Sequence, residues 1–211
     1  MEILASIVQS LEEGDEETVS ELTREALGQG LKARDILDKG LIAGMNAVGV
    51  KFREHEVFLP DVLLSAKAMN AGMKHLKPHF AKEGVPNIGK VVLGTVHGDL
   101  HDIGKNLVSI MLKGAGFDVV DLGKDIIPEA FVDAAVREEA GFLGLSALLT
   151  TTMPVMKDVV DLVKKRGLSG KLRVIVGGAP VSEDYARQIG ADLYAFDAAS
   201  AVDRLKAAVG R

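Results

Sequence analysis

Apolar residues recur at helical spacing through roughly the first 85 positions. Ile3, Ile7 and Leu11 share one face of a first helix. A second runs from about Asp15 to Leu27, and Asp15, with Thr18 three residues on, predicts an N-cap. A third pattern passes through Ile36, Leu37, Leu41, Ile42, Met45, Val48 and Val50 and ends near Phe52. A fourth opens at Pro60, a favoured first-turn residue, and carries Val62, Leu63, Ala66, Met69, Met73 and Leu76. Four helices joined by short polar turns predict a small bundle over residues 1–85.

Lys82–Lys90 mixes Gly and Pro with polar residues and reads as a linker. Beyond it the pattern changes. Five short apolar runs follow, KVVLGTV, FDVVDLG, GFLGLSA, KLRVIVGG and ADLYAFD, separated by amphipathic stretches near 104–115, 128–140, 154–166, 182–189 and 198–209. Such alternation predicts an α/β fold, a doubly wound parallel five-stranded sheet of flavodoxin or Rossmann type over 86–211. Ligands of these sheets sit at the carboxyl ends of the strands, near a topological switch point.

Composition narrows the chemistry. Hydrophobic residues make up 47% of the 211, enough for a sizeable core, and with aromatics scarce and Trp absent that core is expected to be built mainly from Leu, Val, Ile, Ala and Met. A net charge of −5 argues against a nucleic-acid partner, which would need a basic surface. The absence of cysteine excludes disulfides, thiolate metal sites, iron–sulfur clusters and cysteine nucleophiles. The N-terminus has no basic leader, and no apolar run reaches the ~18 residues of a membrane span. A cytoplasmic protein with no membrane partner is expected.

The first predicted strand leads directly into Gly98-Asp99-Leu100-His101-Asp102-Ile103-Gly104-Lys105-Asn106. An imidazole with a carboxylate two residues away suits metal ligation, because the carboxylate holds one ring nitrogen and leaves the other free. Gly98 and Gly104 are read as allowing tight turns and close approach to a bulky ligand. On spacing alone, Asp99 and Asp102 could equally cap the following helix, with His101 a polar loop residue. His97, four residues earlier, lacks an Asp at that spacing and is read as a loop residue. A single histidine holds a metal only if a macrocycle supplies the other donors.

The stretch GDLHDIGKNLV resembles the cobalamin-binding motif of methionine synthase and of corrinoid proteins in methyltransferase systems. Leu145–Met153 resembles the family's serine/threonine stretch after the third strand. Val176–Pro180 resembles the glycine-rich turn after the fourth, and FREHEVFLPDVLLSAKAMNAGM resembles the helical methyl cap. The resemblance implies cobalamin or a related corrinoid cycling between Co(I) and methyl-Co(III), with His101 as the lower ligand of cobalt. It implies that Asp99 bonds the other ring nitrogen and that Thr152, where methionine synthase has serine, extends the relay. The Asp99, His101 and Thr152 set would carry the catalytic role, with ligation coupled to proton uptake. Gly98, Asp102, Ile103 and Gly104 would line the cofactor. Leu148 and Ala179 would also bind the cofactor, while Ser146, Thr150, Gly177 and Gly178 would enclose its displaced nucleotide tail, with Asp197 and Ala198 closing the far end. Phe58, Leu64, Met69 and Met73 are cap candidates for the upper cobalt face.

By the same resemblance the chain is a methyl carrier with no substrate barrel of its own, since a barrel needs about 250 residues. Its expected partners are a substrate:corrinoid methyltransferase, a second methyltransferase acting on a thiol or tetrahydrofolate, and a reductive activator. Methylamines, methanol, methoxylated aromatics and betaines are the implied donors. The cap would swing aside about the linker during transfer. A cobalamin-binding mutase subunit, a cobalamin-dependent sensor and a flavodoxin-like domain without cofactor are the other readings.

Overall fold

The computed structural model describes residues 2–83 and 88–210. The chain divides into two compact units, one helical and one α/β.

The helical unit contains α1 (Glu2–Glu12), α2 (Glu16–Gly28), α3 (Ala33–Ile36), α4 (Ile42–Arg53) and α5 (Leu59–Glu83). Asp15 caps α2 as expected, its Oδ1 accepting the Thr18 N–H at 3.0 Å and its Oδ2 the Thr18 hydroxyl at 2.6 Å. The third predicted helix is not uniform. Leu37–Leu41 forms a π-turn between α3 and α4, closed by Ile42 N–H donating to the Leu37 carbonyl. Gly40 and Gly44 lie against α1, where an added Cβ would come within 3.2 Å of Ile7 and of Leu11 respectively. The fourth helix also runs further than expected. It continues past Pro78 to Glu83, so Lys82 and Glu83 are helical rather than linker, and 84–87 lie outside the described residues. Phe58 and Leu64 are exposed on this unit, whereas Met69 is buried in its interior. The Met69 side chain thus fills core.

The α/β unit alternates β1 (Lys90–Thr95), α6 (Ile103–Gly114), β2 (Asp118–Asp121), α7 (Pro128–Arg137), β3 (Phe142–Ser146), α8 (Pro154–Lys165), β4 (Arg173–Gly177), α9 (Glu183–Ile189), β5 (Leu193–Ala195) and α10 (Ala198–Val209). All pairings are parallel, in the order β2-β1-β3-β4-β5. This is the flavodoxin-like order, whose switch point lies between β1 and β3. Alternation along the strands divides the core. Val92, Leu143, Leu145, Val174 and Val176 pack with Phe131 and Val132 of α7 and Met156, Val159 and Val160 of α8. Gly94 makes room on this face, since a Cβ there would meet the Phe131 ring at 2.7 Å. Leu93, Gly144 and Ile175 meet one another on the opposite face. Among the described residues no helix is long and apolar enough to cross a membrane.

The turn after β4 is the tightest backbone approach in this unit. Gly178 has φ +131°, and a Cβ there would lie 1.9 Å from the Ala147 carbonyl oxygen of the neighbouring β3 loop. Backbone cannot yield as a flexible side chain would. Gly178→Ala is expected to lower unfolding free energy by about 3 kcal/mol or more, measured by denaturant titration of the cofactor-free chain.

Candidate functional site

Asp99 is the centre of the site. It follows a β-turn closed by its own N–H to the Val96 carbonyl at 3.1 Å, with Gly98 in the left-handed region at φ +81°. The turn delivers the Asp99 side chain into the crevice between β1 and β3, where it is fully buried. Oδ1 accepts the His101 N–H at 3.1 Å and the His101 Nδ1–H at 2.7 Å. Oδ2 accepts the Leu148 N–H at 2.8 Å, the Leu149 N–H at 3.2 Å and the Thr152 hydroxyl at 2.8 Å. Burial pushes the Asp99 carboxyl up, but bonds from Leu148, His101 and Thr152 outweigh it and hold the carboxyl well below its ordinary range.

A carboxylate only accepts, so the proton of the His101 ring sits on Nδ1 and the lone pair on Nε2. The ring is 51% exposed. Thr95, the buried last residue of β1, donates its hydroxyl to the His101 carbonyl at 3.0 Å and so holds the loop from below. Lys105, one turn into α6, is buried against Asp121 at the end of β2, with Nζ to carboxylate distances of 2.5 and 2.7 Å. Sequence reasoning gave neither residue a role. A Lys six positions after a Gly-Asp pair carries no mark of its partner 16 residues on.

The remaining candidates divide. Asp99, His101 and Thr152 are directly bonded, as described. Asp102 is not a side-chain cap in the way spacing suggested for Asp99 and Asp102 together: Asp99 is committed to the crevice, and Asp102 contributes its carbonyl to the Asn106 N–H at 2.7 Å. Gly104 does not make the tight turn read for it. It lies in the first turn of α6 with no positive φ, and a Cβ there would meet nothing within 4 Å. Ser146, Gly177 and Ala195 are in register across β3, β4 and β5, so Ser146 and the Gly177–Ala179 turn form a row along the carboxyl edge that leads toward Asp197. Leu148 and Thr150, on the loop after β3, are exposed. The Asp197 carboxylate caps α10, accepting the Ser200 N–H at 2.6 Å, and the Ala198 methyl is buried. Both therefore offer a ligand mainly backbone. His97 is not a lone loop residue, because its Nδ1 lies 2.8 Å from Asp125 Oδ1.

Among the described residues no three His, Cys, Asp or Glu side chains could jointly hold a metal. A metal on His101 must bring its other donors with it. The surroundings suit a flat macrocycle: Leu100, Ile103, Leu148 and Leu149 all expose apolar side chains on the loops that frame the ring, with Ile103 73% exposed. Gly104 leaves space that the chain itself does not need. One oriented imidazole in an apolar surround, at the switch point of a 2-1-3-4-5 sheet, defines a corrinoid-binding domain.

The B12 binding domain family matches residues 89–206, and a second B12 binding domain family matches residues 3–77. A corrinoid protein of Desulfitobacterium hafniense is 42% identical over all of this chain and 99% of its own length. The dimethylamine corrinoid protein of Methanosarcina barkeri is 43% identical, covering 97% of this chain and 96% of its own. Among solved structures, the methanol:cobalamin methyltransferase complex of Methanosarcina barkeri matches with a TM-score of 0.89 and 34% identity over 99% of this chain and 80% of that one. The chain belongs to the B12-binding family of corrinoid proteins, and its cofactor is a cobalamin or related corrinoid.

Two outcomes follow from the geometry. Asp99→Asn should cost the cofactor-free chain about 2–4 kcal/mol at neutral pH, because an amide cannot accept from all five donors. The folded-state pKa of Asp99 is depressed, so its contribution is fully present above the ordinary value of 3.8 and is lost as pH falls through the lower folded value. Denaturant unfolding of both proteins across pH 7 to 2 should show a difference that is constant at the higher pH values and narrows progressively as pH falls below 3.8. Gly104→Ala should instead stabilise the free chain by about 0.5–1 kcal/mol and weaken hydroxocobalamin binding by about tenfold, read by optical titration.

Proposed function

We propose that this chain is a methyl carrier that receives a methyl group from a substrate-specific methyltransferase and delivers it to a second methyltransferase. The observation that carries the reading is the His101 imidazole, oriented through Nδ1 by a buried carboxylate, with Nε2 free in an apolar surround. Once bound, the corrinoid supplies a cobalt that accepts and releases methyl groups. The chain's own residues hold and orient it. His101 Nε2 would hold the cobalt, Asp99 fixes the tautomer that leaves this nitrogen free, and Thr152 with the Leu148 and Leu149 amides fixes Asp99. Leu100, Ile103 and Leu148 exclude water beneath the macrocycle. The row from Ser146 and Thr150 through Gly177, Gly178 and Ala179 to the Asp197–Ala198 backbone would hold the nucleotide tail. Residues 1–85 serve as the methyl cap and 86–211 as the cofactor domain.

The relatives named for dimethylamine and the neighbour in a methanol:cobalamin methyltransferase complex support a partner acting on a small methylated amine or alcohol. The second methyltransferase, with a thiol or tetrahydrofolate acceptor, and a reductive activator complete the expected set of partners. The test is a titration of the whole chain with hydroxocobalamin, followed by reduction and EPR, alongside His101→Ala. Wild type should bind one corrinoid with nitrogen splitting in the cobalt(II) spectrum, and the variant should lose that splitting. Identical spectra for both proteins would remove the basis of the reading.

A further inference from the structure

Asp125, between β2 and α7, has φ +60°, a left-handed backbone that residues other than glycine adopt at a cost. Its contacts concentrate on the turn that precedes the cobalt ligand. Its N–H donates to the Asp99 carbonyl at 3.2 Å, and its Oδ1 accepts the Gly98 N–H at 2.7 Å. His97 Nδ1 lies 2.8 Å from the same Oδ1, an ion-pair contact. On either side the strands are zipped together: Thr95 N–H donates to the Gly123 carbonyl at 2.9 Å, and Ile126 N–H to the Thr95 carbonyl at 3.0 Å. Val96 and Ile126 form an isolated parallel bridge. Asp125 therefore anchors the peptide groups on both sides of Gly98–Asp99, while Thr95 anchors the carbonyl of His101.

A left-handed Asp in this place has a physical reason. It turns the side chain back toward the β1 loop while its N–H still points at Asp99. The Gly98 N–H, opposed by a smaller desolvation, and the adjacent His97 hold its carboxyl below the usual value, so it accepts as a carboxylate at neutral pH. Nothing else among the described contacts fixes the Gly98 N–H.

We propose that Asp125, backed by His97, is a positioning residue for the cobalt ligand: it locks the Gly98–Asp99 turn so that Asp99 meets the His101 ring in the ligating orientation. The proposal rests on His101 being the lower ligand. It sets a second His–Asp pair, drawn from two different βα loops, behind the one that touches the metal.

Three variants of the full chain separate this role from general stability. Asp125→Gly keeps the positive φ without strain but removes the acceptor. Asp125→Asn tolerates the same backbone and retains an oxygen. His97→Ala leaves the Asp125 backbone alone. Two readouts are compared: amide hydrogen exchange across Gly98–His101 in the cofactor-free chain, and the nitrogen splitting of cobalt(II) after loading with hydroxocobalamin and reduction. Asp125→Gly should speed exchange about tenfold, the worth of one charge-assisted bond, and lower the histidine-ligated fraction. Asp125→Asn should restore both toward wild type, and His97→Ala should move both in the direction of Asp125→Gly by less. Nitrogen splitting that survives Asp125→Gly unchanged overturns the proposal, whatever the exchange shows. A wild-type spectrum without nitrogen splitting overturns the reading of His101 as ligand, and the proposal with it.

Discussion

The α/β unit is organised around one buried negative charge. An ionised carboxylate with no solvent access is tolerable only when its lone pairs are filled, and Asp99 has five donors to fill them. Those donors come from both sides of the switch point, two from the β1 loop and three from the β3 loop. Satisfying the charge therefore does more than stabilise it. It closes the crevice where the sheet changes direction and fixes the ring of His101 as one of the five donors. Networks of this kind behave as units, since removing any member leaves the rest exposed to the full cost of burial.

The free chain also carries features that folding alone does not explain. Leu100, Ile103, Leu148 and Leu149 remain exposed although the core has ample apolar material, and Gly104 occupies a helical position that alanine would fill more favourably. Both make sense once a flat apolar ligand lies on them. On the proposed reading this is the surface a corrinoid would cover, while the interior, with Phe131, Leu143 and Met156 fully buried, is packed in the ordinary way.

Much of this architecture was legible in the sequence. Strand and helix periodicities are strong signals where one face is buried, and the five apolar runs fall on the five observed strands. Local chemistry was equally readable: Asp15 and Thr18 are three residues apart and bond as their types demand. What escaped depends on partners far along the chain or on small phase changes. The π-turn at Leu37–Leu41 shifts the helical register without interrupting the apolar pattern. Lys82 and Glu83, read as linker from their polar neighbours, instead continue α5 past Pro78. Thr95, Lys105 and Asp125 gain their meaning from a carbonyl, a carboxylate and a turn that only the fold brings near. His97 was passed over for want of an Asp at close spacing, and the structure supplies one from 28 residues away.

The third member of the relay has a β-branched side chain. Thr152 is buried, and its methyl lies 3.5 Å from where a Cβ at Gly98 would be. Two heavy atoms on its Cβ leave it few torsional wells. A serine hydroxyl at this place could swing among three orientations and would surrender that freedom each time it bonded Asp99. Thr152 has little rotational entropy left to lose. Its hydroxyl is aimed in advance, so fluctuations that would blur the orientation of the carboxylate, and through it the imidazole, are damped at their far end.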